Sequence, residues 1–236
     1  MLNYARMTAF IFDMDGVLAD NSDFHVLAWT DYARQFGREL TVDEIKRRLG
    51  FNNREYMRFL LDREPTEDEV TRSTVEKEAL YRTIYEPHLT APSGLIALLD
   101  FARREKIDCG VATSAPDDNV RFVLDGLGIR PYFKEVVDAS HVKNGKPDPE
   151  IYLLAAQRLG FAPAQCLVFE DAIAGIQSAN AAGMTVIALT TSYPAAVLAE
   201  HKPAAIIASF ADLASPCPAA ALIESFTGKR LPPAPL

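Results

Sequence analysis

Two aspartates two residues apart, Asp13 and Asp15 in Phe12-Asp13-Met14-Asp15-Gly16-Val17-Leu18, directly follow an apolar run. Carboxylates at this spacing, just past a buried strand, leave the core at one edge. They can bind a divalent cation through hard oxygens, or divide the roles of nucleophile and acid/base. Gly16 permits a sharp turn behind them. Three more stretches carry chemistry of the same kind. Ala112-Thr113-Ser114 offers a hydroxyl and backbone N–H groups to anionic oxygens. In Gly145-Lys146-Pro147-Asp148-Pro149 the prolines stiffen the loop that presents Lys146. Phe169-Glu170-Asp171-Ala172 sets an acidic pair between an apolar run and a helical pattern, where it suits a helix N-terminus and can complete a metal site. Taken singly, each has an ordinary reading as a turn, a helix cap or a solvated lysine. Together they supply a metal site, a hydroxyl and a cation, a set that points to one active centre.

The surrounding pattern explains how they meet. Short continuous apolar runs lie at Thr8–Phe12, Cys109–Ala112, Cys166–Phe169, Thr185–Leu189 and Ala204–Ile207. None alternates with polar residues, so each reads as a strand covered on both faces. Amphipathic segments at 93–104, 117–127, 149–159 and 172–182 read as helices between them. Gly128, Gly160 and Gly183, each followed by an apolar residue, fit left-handed helix C-caps. Strand and helix in repetition predict an α/β fold, a doubly wound, Rossmann-like parallel sheet. All four chemical stretches are placed at the C-terminal edge of its strands, where such sheets bind ligands. From Asp20 to Pro87 no strand is expected. Phe24, Leu27, Ala28, Tyr32 and Phe36 recur at helical spacing, ended by Gly37. This predicts a core of residues 1–19 and 88–236 with an inserted helical cap at 20–87, hinged near Asp20 and Pro87. The Pro-rich end, Leu-Pro-Pro-Ala-Pro-Leu at 231–236, is expected to be a loose tail.

These motifs, in this order, resemble those of the haloacid dehalogenase superfamily of phosphoryl-transfer enzymes. The likeness is to the helical-cap subgroup that contains β-phosphoglucomutase and sugar-phosphate phosphatases. It rests on Asp13–Leu18, Thr113, Lys146 in Gly-Lys-Pro-Asp-Pro-Glu-Ile-Tyr, and Glu170–Met184, and spans about Thr8 to Leu213. The resemblance implies that Asp13 attacks phosphorus to give an aspartyl-phosphate. Asp15 then protonates the leaving oxygen and activates the next acceptor. Mg²⁺ is implied on the Asp13 carboxylate, the Asp15 backbone carbonyl and Asp171, with Glu170 as a further ligand or a group behind the ligands. Lys146 and the cation offset the repulsion between carboxylate and phosphate, while Thr113 and the Ser114 N–H hold equatorial oxygens. The presence of Asp15 counts against the dehalogenases and phosphonate hydrolases of the superfamily, which lack it.

In the cap, His25 and Trp29 lie one helical turn apart. They are similar to a hinge-proximal His/Trp element of the subgroup, in which the His couples Asp positioning to closure. Arg54 in Gly-Phe-Asn-Asn-Arg-Glu resembles a cap arginine that grips a second, non-transferring phosphate, with one extra residue ahead of it. Lys77 in Glu-Lys-Glu-Ala-Leu-Tyr resembles a cap lysine that enters the active site. Read from the residues alone, His25 is equally a helix-surface histidine, Trp29 a packing residue and Arg54 a solvated arginine. The mutase carries a Ser and an Asn beyond the strand-end hydroxyl, and here Ala115 and Asp117 stand in their places. Asn119 compensates if the turn differs. A weaker second-phosphate site favours hydrolysis over isomerisation.

Composition narrows the classes further. The chain has 236 residues, 49% of them hydrophobic, and a formal charge of −8. That balance is globular, and it disfavours a duplex nucleic-acid binder. The three cysteines, Cys109, Cys166 and Cys217, are too scattered for a disulfide framework or a paired-Cys metal site, and they fit a reducing cytosol. No apolar stretch approaches the ~18 residues of a membrane span. The short N-terminal apolar run, broken by Asp13, argues against a signal peptide. The expected protein is a cytoplasmic, Mg²⁺-dependent phosphatase of a small phosphorylated metabolite such as a sugar phosphate. Neither nucleic acid nor membrane is expected as a partner, and a monomer is compatible with the sequence. The alternatives are a β-phosphoglucomutase and, more remotely, a non-catalytic phospho-ligand binding protein.

Overall fold

The computed structural model describes residues 9–49 and 51–232. The chain begins with β1 (Ala9–Phe12), followed by four helices, α1 (Ser22–Arg34), α2 (Val42–Lys46), α3 (Asn53–Leu61) and α4 (Glu67–Tyr85). Strands and helices then alternate: α5 (Leu95–Arg104), β2 (Asp108–Ala112), α6 (Asp117–Gly126), β3 (Phe133–Val137), α7 (Glu150–Leu159), β4 (Cys166–Glu170), α8 (Ile173–Ala181), β5 (Thr185–Leu189), α9 (Ala195–Ala199), β6 (Ala205–Ile207) and α10 (Pro218–Thr227).

The strands form one six-stranded sheet in the order β3-β2-β1-β4-β5-β6. Every pairing is parallel. The two-residue period of β1 sends Phe10 and Phe12 to one face, against Leu98 and Leu99 of α5 and Val123 of α6. Ala9 and Ile11 face the other way, against Tyr152 of α7 and Ile176 of α8. Both faces are covered, which is why β1 reads as an unbroken apolar run. The expected α/β doubly wound sheet is therefore present.

The five predicted runs lie on β1, β2, β4, β5 and β6, with Thr8 outside the described residues. The sixth strand, β3, corrects the prediction. It is an edge strand paired only with β2, and its exposed Lys134 bonds to Asp108 at 2.8 Å. Charge on an edge strand is tolerated and breaks the apolar signal. The short α9 and the C-terminal α10 also went unpredicted. Leu231 and Pro232 have no regular structure, while the remainder of the expected tail, 233–236, lies outside the described residues.

Among the described residues, 20–87 contain helices and no strand. Helices α2, α3 and α4 start at reciprocal capping boxes, Thr41 with Glu44, Asn52 with Glu55 and Thr66 with Glu69. Trp29, Tyr32, Ile45, Tyr56, Met57 and Leu60 form an apolar cluster of their own, separate from the clusters on the two faces of the sheet. No described helix is long and apolar enough to cross a membrane.

Strand register sets the edge that matters. Phe12 is level with Phe169 of β4 and with Val111 of β2. Asp13 is thus level with Glu170 and Ala112, with Asp171 and Thr113 one step beyond. Chain order reverses between β1 and β4, the switch point where doubly wound sheets open a crevice.

Candidate active site

The residues immediately beyond β1, β2 and β4 meet at that crevice. The Asp13 N–H donates to Phe169 O at 3.0 Å, and the Thr113 N–H to Val137 O at 2.9 Å, so each residue leaves its strand still held by the neighbouring one. The loop after β3 returns Lys146 beneath them. Its Nζ donates to Asp13 Oδ1 at 2.7 Å, Glu170 Oε1 at 2.6 Å, Tyr152 OH at 3.1 Å and Ala112 O at 3.2 Å. Burial lowers the Lys146 pKa, but Asp13 and Glu170 outweigh it and hold the group above its ordinary value. Lys146 is thus a buried cation rather than the solvated lysine that composition alone suggests.

Carboxylate oxygens of Asp13, Glu170 and Asp171 lie within 4.8 Å of one another, all three residues buried. Burial raises the pKa of Asp13 to about 7, with Lys146 opposing and Glu170 and Asp15 adding to the rise. Asp171 is pushed well above the ordinary range by burial and by the Glu170 and Asp13 charges. Hard oxygen donors crowded until they resist ionisation are what a divalent cation would relieve. The backbone makes room for them. A Cβ on Gly16, whose φ is +76°, would fall 1.9 Å from Asp171 Oδ2, and one on Gly175 would fall 1.6 Å from Glu170 Oε1. The donor set therefore fits a hard divalent cation. Within it Glu170 is already committed. Oε1 accepts from Lys146 and from Tyr152 at 2.8 Å, while Oε2 accepts from the N–H groups of Asp171 and Ala172 at 2.8 and 2.9 Å. Ser192 Oγ donates to Asp171 Oδ2.

Asp15 is steered from the helical segment. Asn21 Nδ2 donates to Asp15 Oδ1 at 2.6 Å and to Tyr81 OH at 2.5 Å, while Asn21 Oδ1 accepts from the Gly16 N–H at 2.9 Å. His25 stacks on Tyr81 with ring centroids 3.8 Å apart. Its Nε2 is buried 3.3 Å from Asp15 Oδ1, without hydrogen-bond alignment. Lys77 Nζ stands 3.0 Å from His25 Nδ1. A lysine ammonium can only donate there, which leaves the ring proton on Nε2, facing Asp15. Burial pushes the Asp15 pKa up, but His25, Asn21 and Lys77 prevail and hold it below the usual aspartate value.

A small cavity of about 50 Å³ lies between these helices and the sheet edge. Asp13, Asp15, Thr113, Ser114 and Asp171 line it from the core side, and His25, Trp29 and Lys77 from the other. Trp29 also packs in the helical cluster, stacked on Tyr56 at 4.3 Å with Lys77 Nζ 4.7 Å from its ring centroid. Two expectations change. Arg54 does not line the cavity. Its guanidinium is held by Glu67 at 2.6 Å and by Glu64 at 3.6 Å, on the outer side of α3. Asp117 is turned to Arg121 one helical turn on, at 2.5 Å, while Asn119 lines the cavity instead.

Several residues were missed by sequence reasoning. Ser192 follows β5, and the strand-end rule applied to that run points to Thr190-Thr191-Ser192. Tyr152 lies in the first turn of α7, just past the Lys146 loop, in the quoted Gly-Lys-Pro-Asp-Pro-Glu-Ile-Tyr. Asn21 carries no signal of this kind. Glu78, next to Lys77 in Glu-Lys-Glu-Ala-Leu-Tyr, was not singled out, yet its Oε1 is 3.1 Å from Lys77 Nζ.

Comparison with known proteins follows this geometry. A profile of the haloacid dehalogenase-like hydrolases matches residues 7–183. The chain is 34% identical over 178 residues to a phosphorylated carbohydrates phosphatase of Thermotoga maritima, covering 75% of this chain and 82% of that one. It is 32% identical over 196 residues to a β-phosphoglucomutase of Bacillus subtilis, covering 80% and 85%. Among solved structures, a haloacid dehalogenase hydrolase of family IA, variant 3, from Entamoeba histolytica superposes with a TM-score of 0.78 at 30% identity, covering 86% and 94%.

Proposed function

Because the chain belongs to the haloacid dehalogenase-like hydrolase family, we propose that it is a Mg²⁺-dependent phosphatase of a small phosphorylated metabolite such as a sugar phosphate. The observation that carries this reading is the cluster of Asp13, Glu170 and Asp171 oxygens within 4.8 Å, with Lys146 on Asp13 at 2.7 Å. Its place at the switch point of the sheet adds support.

Asp13 attacks phosphorus, its oxygen forming a bond as the ester oxygen leaves with the P–O pair. Asp15 gives that oxygen a proton. The site is then an aspartyl-phosphate on Asp13. Asp15, now a carboxylate, takes a proton from water as the water attacks phosphorus, which frees phosphate and restores both aspartates. The anionic Asp15 held by His25 and Asn21 suits this second step. Approach of the substrate dianion raises its pKa and loads it for the first. Asp13, Asp171 and the Asp15 carbonyl are the candidate Mg²⁺ ligands, with Glu170 holding Lys146 and the Asp171 backbone behind them. Mg²⁺ bound there supplies positive charge against the phosphoryl oxygens and keeps Asp13 ionised. Thr113 and Ser114 cradle the remaining oxygens. Residues 20–87 act as a cap over a core of 1–19 and 88–236, hinged near Asp20 and Pro87.

The second reading is a β-phosphoglucomutase. The line from Asp15 through His25 to Lys77 and the similarity to the Bacillus subtilis enzyme favour it. Product analysis separates the two. With Mg²⁺, β-glucose 1-phosphate and a bisphosphate primer, a phosphatase releases inorganic phosphate, whereas a mutase makes glucose 6-phosphate. Asp13→Asn is expected to abolish either activity with the fold intact. Residual turnover in that variant above about a hundredth of normal overturns the assignment of Asp13. Absence of both products with every phosphate ester tried leaves only the non-catalytic reading.

A further inference from the structure

Lys77 is the only lysine or arginine among the described residues that line the cavity. A leaving group bearing a second phosphate would look to it for charge, and that charge is already committed. Lys77 Nζ is 3.1 Å from Glu78 Oε1, and the two side chains are 2% and 3% exposed. Glu78 also lines the cavity. Its Oε2 accepts from Asn119 Nδ2 at 2.7 Å, and Asn119 Oδ1 accepts from Arg82 at 2.7 Å. The carboxylate is thus fixed between α4 and α6. Burial alone would raise the Glu78 pKa, but Lys77, His25 and the Asn119 hydrogen bond hold it below the ordinary glutamate value, so it is an anion at neutral pH.

The remaining wall beyond the phosphoryl site offers no further lysine or arginine among the described residues. Leu49, Phe51 and Tyr56 are apolar or aromatic, Asn53 is a neutral amide, and Arg54, outside the lining, faces Glu67. A second phosphate placed here meets a fixed, buried carboxylate and a lysine whose charge that carboxylate offsets, a repulsive arrangement that discriminates as effectively as an attractive one. A neutral polyol meets no such penalty. Its hydroxyls can donate to Glu78, and its C–H faces match the aromatic wall.

We propose that Glu78 is a specificity-determining residue: by neutralising Lys77 it confines the site to monophosphate esters with an uncharged leaving group and turns away bisphosphates. The inference rests on the phosphatase reading for its physiological meaning, but it can be tested without turnover.

The test measures binding of β-glucose 1-phosphate and of glucose 1,6-bisphosphate to Asp13→Asn protein with Mg²⁺ by calorimetry. The monophosphate is expected to bind at least about tenfold more tightly, since like-charge juxtaposition costs several kcal/mol and each tenfold needs about 1.4 kcal/mol. Adding Glu78→Gln keeps an acceptor for Asn119 and releases the lysine charge. The preference should then move about tenfold or more towards the bisphosphate, and adding Lys77→Gln should remove that gain. Equal affinities before Glu78 is changed overturn the proposal without recourse to any Glu78 variant. So does an unchanged ratio in a Glu78→Gln protein that melts cooperatively. Phosphate release by the unmodified enzyme is scored separately. Its failure would reject the phosphatase reading, while the affinity ratio still decides the role of Glu78.

Discussion

Asn21 ties Asp15 to the helical segment: its amide donates to Asp15 Oδ1 at 2.6 Å, and its carbonyl accepts from the Gly16 N–H at 2.9 Å. Asn21 stands at the N-cap position of α1 yet makes no side-chain cap bond, because its polar atoms are spent on the Asp15 loop and Tyr81. The helix start and Asp15, the proposed acid/base residue, are therefore tied together. Asn21→Ala should reduce kcat by up to about a hundredfold through misplacement of Asp15, with KM little changed. It should also cost about 1–3 kcal/mol of stability, from the buried groups left unpaired. Steady-state kinetics and denaturant melts check both. Lost stability with normal kcat would make Asn21 structural only.

Among the described residues, Lys146 is the one Lys or Arg side chain within ion-pair distance of Asp13 and Glu170, at 2.7 and 2.6 Å. Lys146→Met leaves two buried carboxylates facing each other uncompensated. The expected cost is about 3–5 kcal/mol in metal-free protein. Mg²⁺ should recover part of it by supplying charge from the other side. Urea denaturation with EDTA and with Mg²⁺ measures the cost and the recovery, and a variant as stable as the parent would show that the Lys146 charge does not hold this cluster together.

What the sequence revealed and what it concealed divide along physical lines. Asp13, Thr113 and Asp171 follow strands buried on both faces, so burial announces the strand and the strand places the residue. Lys146 was placed at the right edge without the strand that leads to it, because β3 is an edge strand carrying Lys134 and Glu135 and lacks an apolar run. Asn21 and Glu78 were illegible for another reason. Asn21 reaches Asp15 six residues back, and Glu78 is fixed by Asn119 41 residues on; a polar residue on a helix looks solvated until its partner is known. Arg54 shows the reverse. Its motif context suggested an inward cation, but the acidic start of α4 competes for the guanidinium and holds it outside.

That placement of Arg54 makes a prediction opposite to the one its motif suggests. Arg54→Ala should lower activity on a sugar phosphate and on an aryl phosphate equally, by less than about threefold. The stability change should be at most about 1 kcal/mol, as for an exposed ion pair. A selective loss on sugar phosphates or bisphosphates would mean that α3 turns Arg54 inward when substrate binds.

Metal binding should couple to pH in a defined direction. Asp13 has its pKa raised from 3.8 to about 7 in the folded protein, and Asp171 is raised as well. In metal-free protein the folded state therefore holds protons that the unfolded state has already released between about pH 4 and 7. Stability from these groups is full below that window and is lost as pH rises through it. A cation favours the ionised carboxylates, so the gain in Tm from Mg²⁺ should grow from pH 5 to pH 8. Carboxylates with lowered values, such as Glu69 and Glu78, pull the other way. Because they do so with and without metal, the difference between EDTA and Mg²⁺ melts isolates the site. Asp171→Asn should shrink the Mg²⁺ gain and flatten its pH dependence. A gain that is the same at both pH values would place the cation away from Asp13 and Asp171.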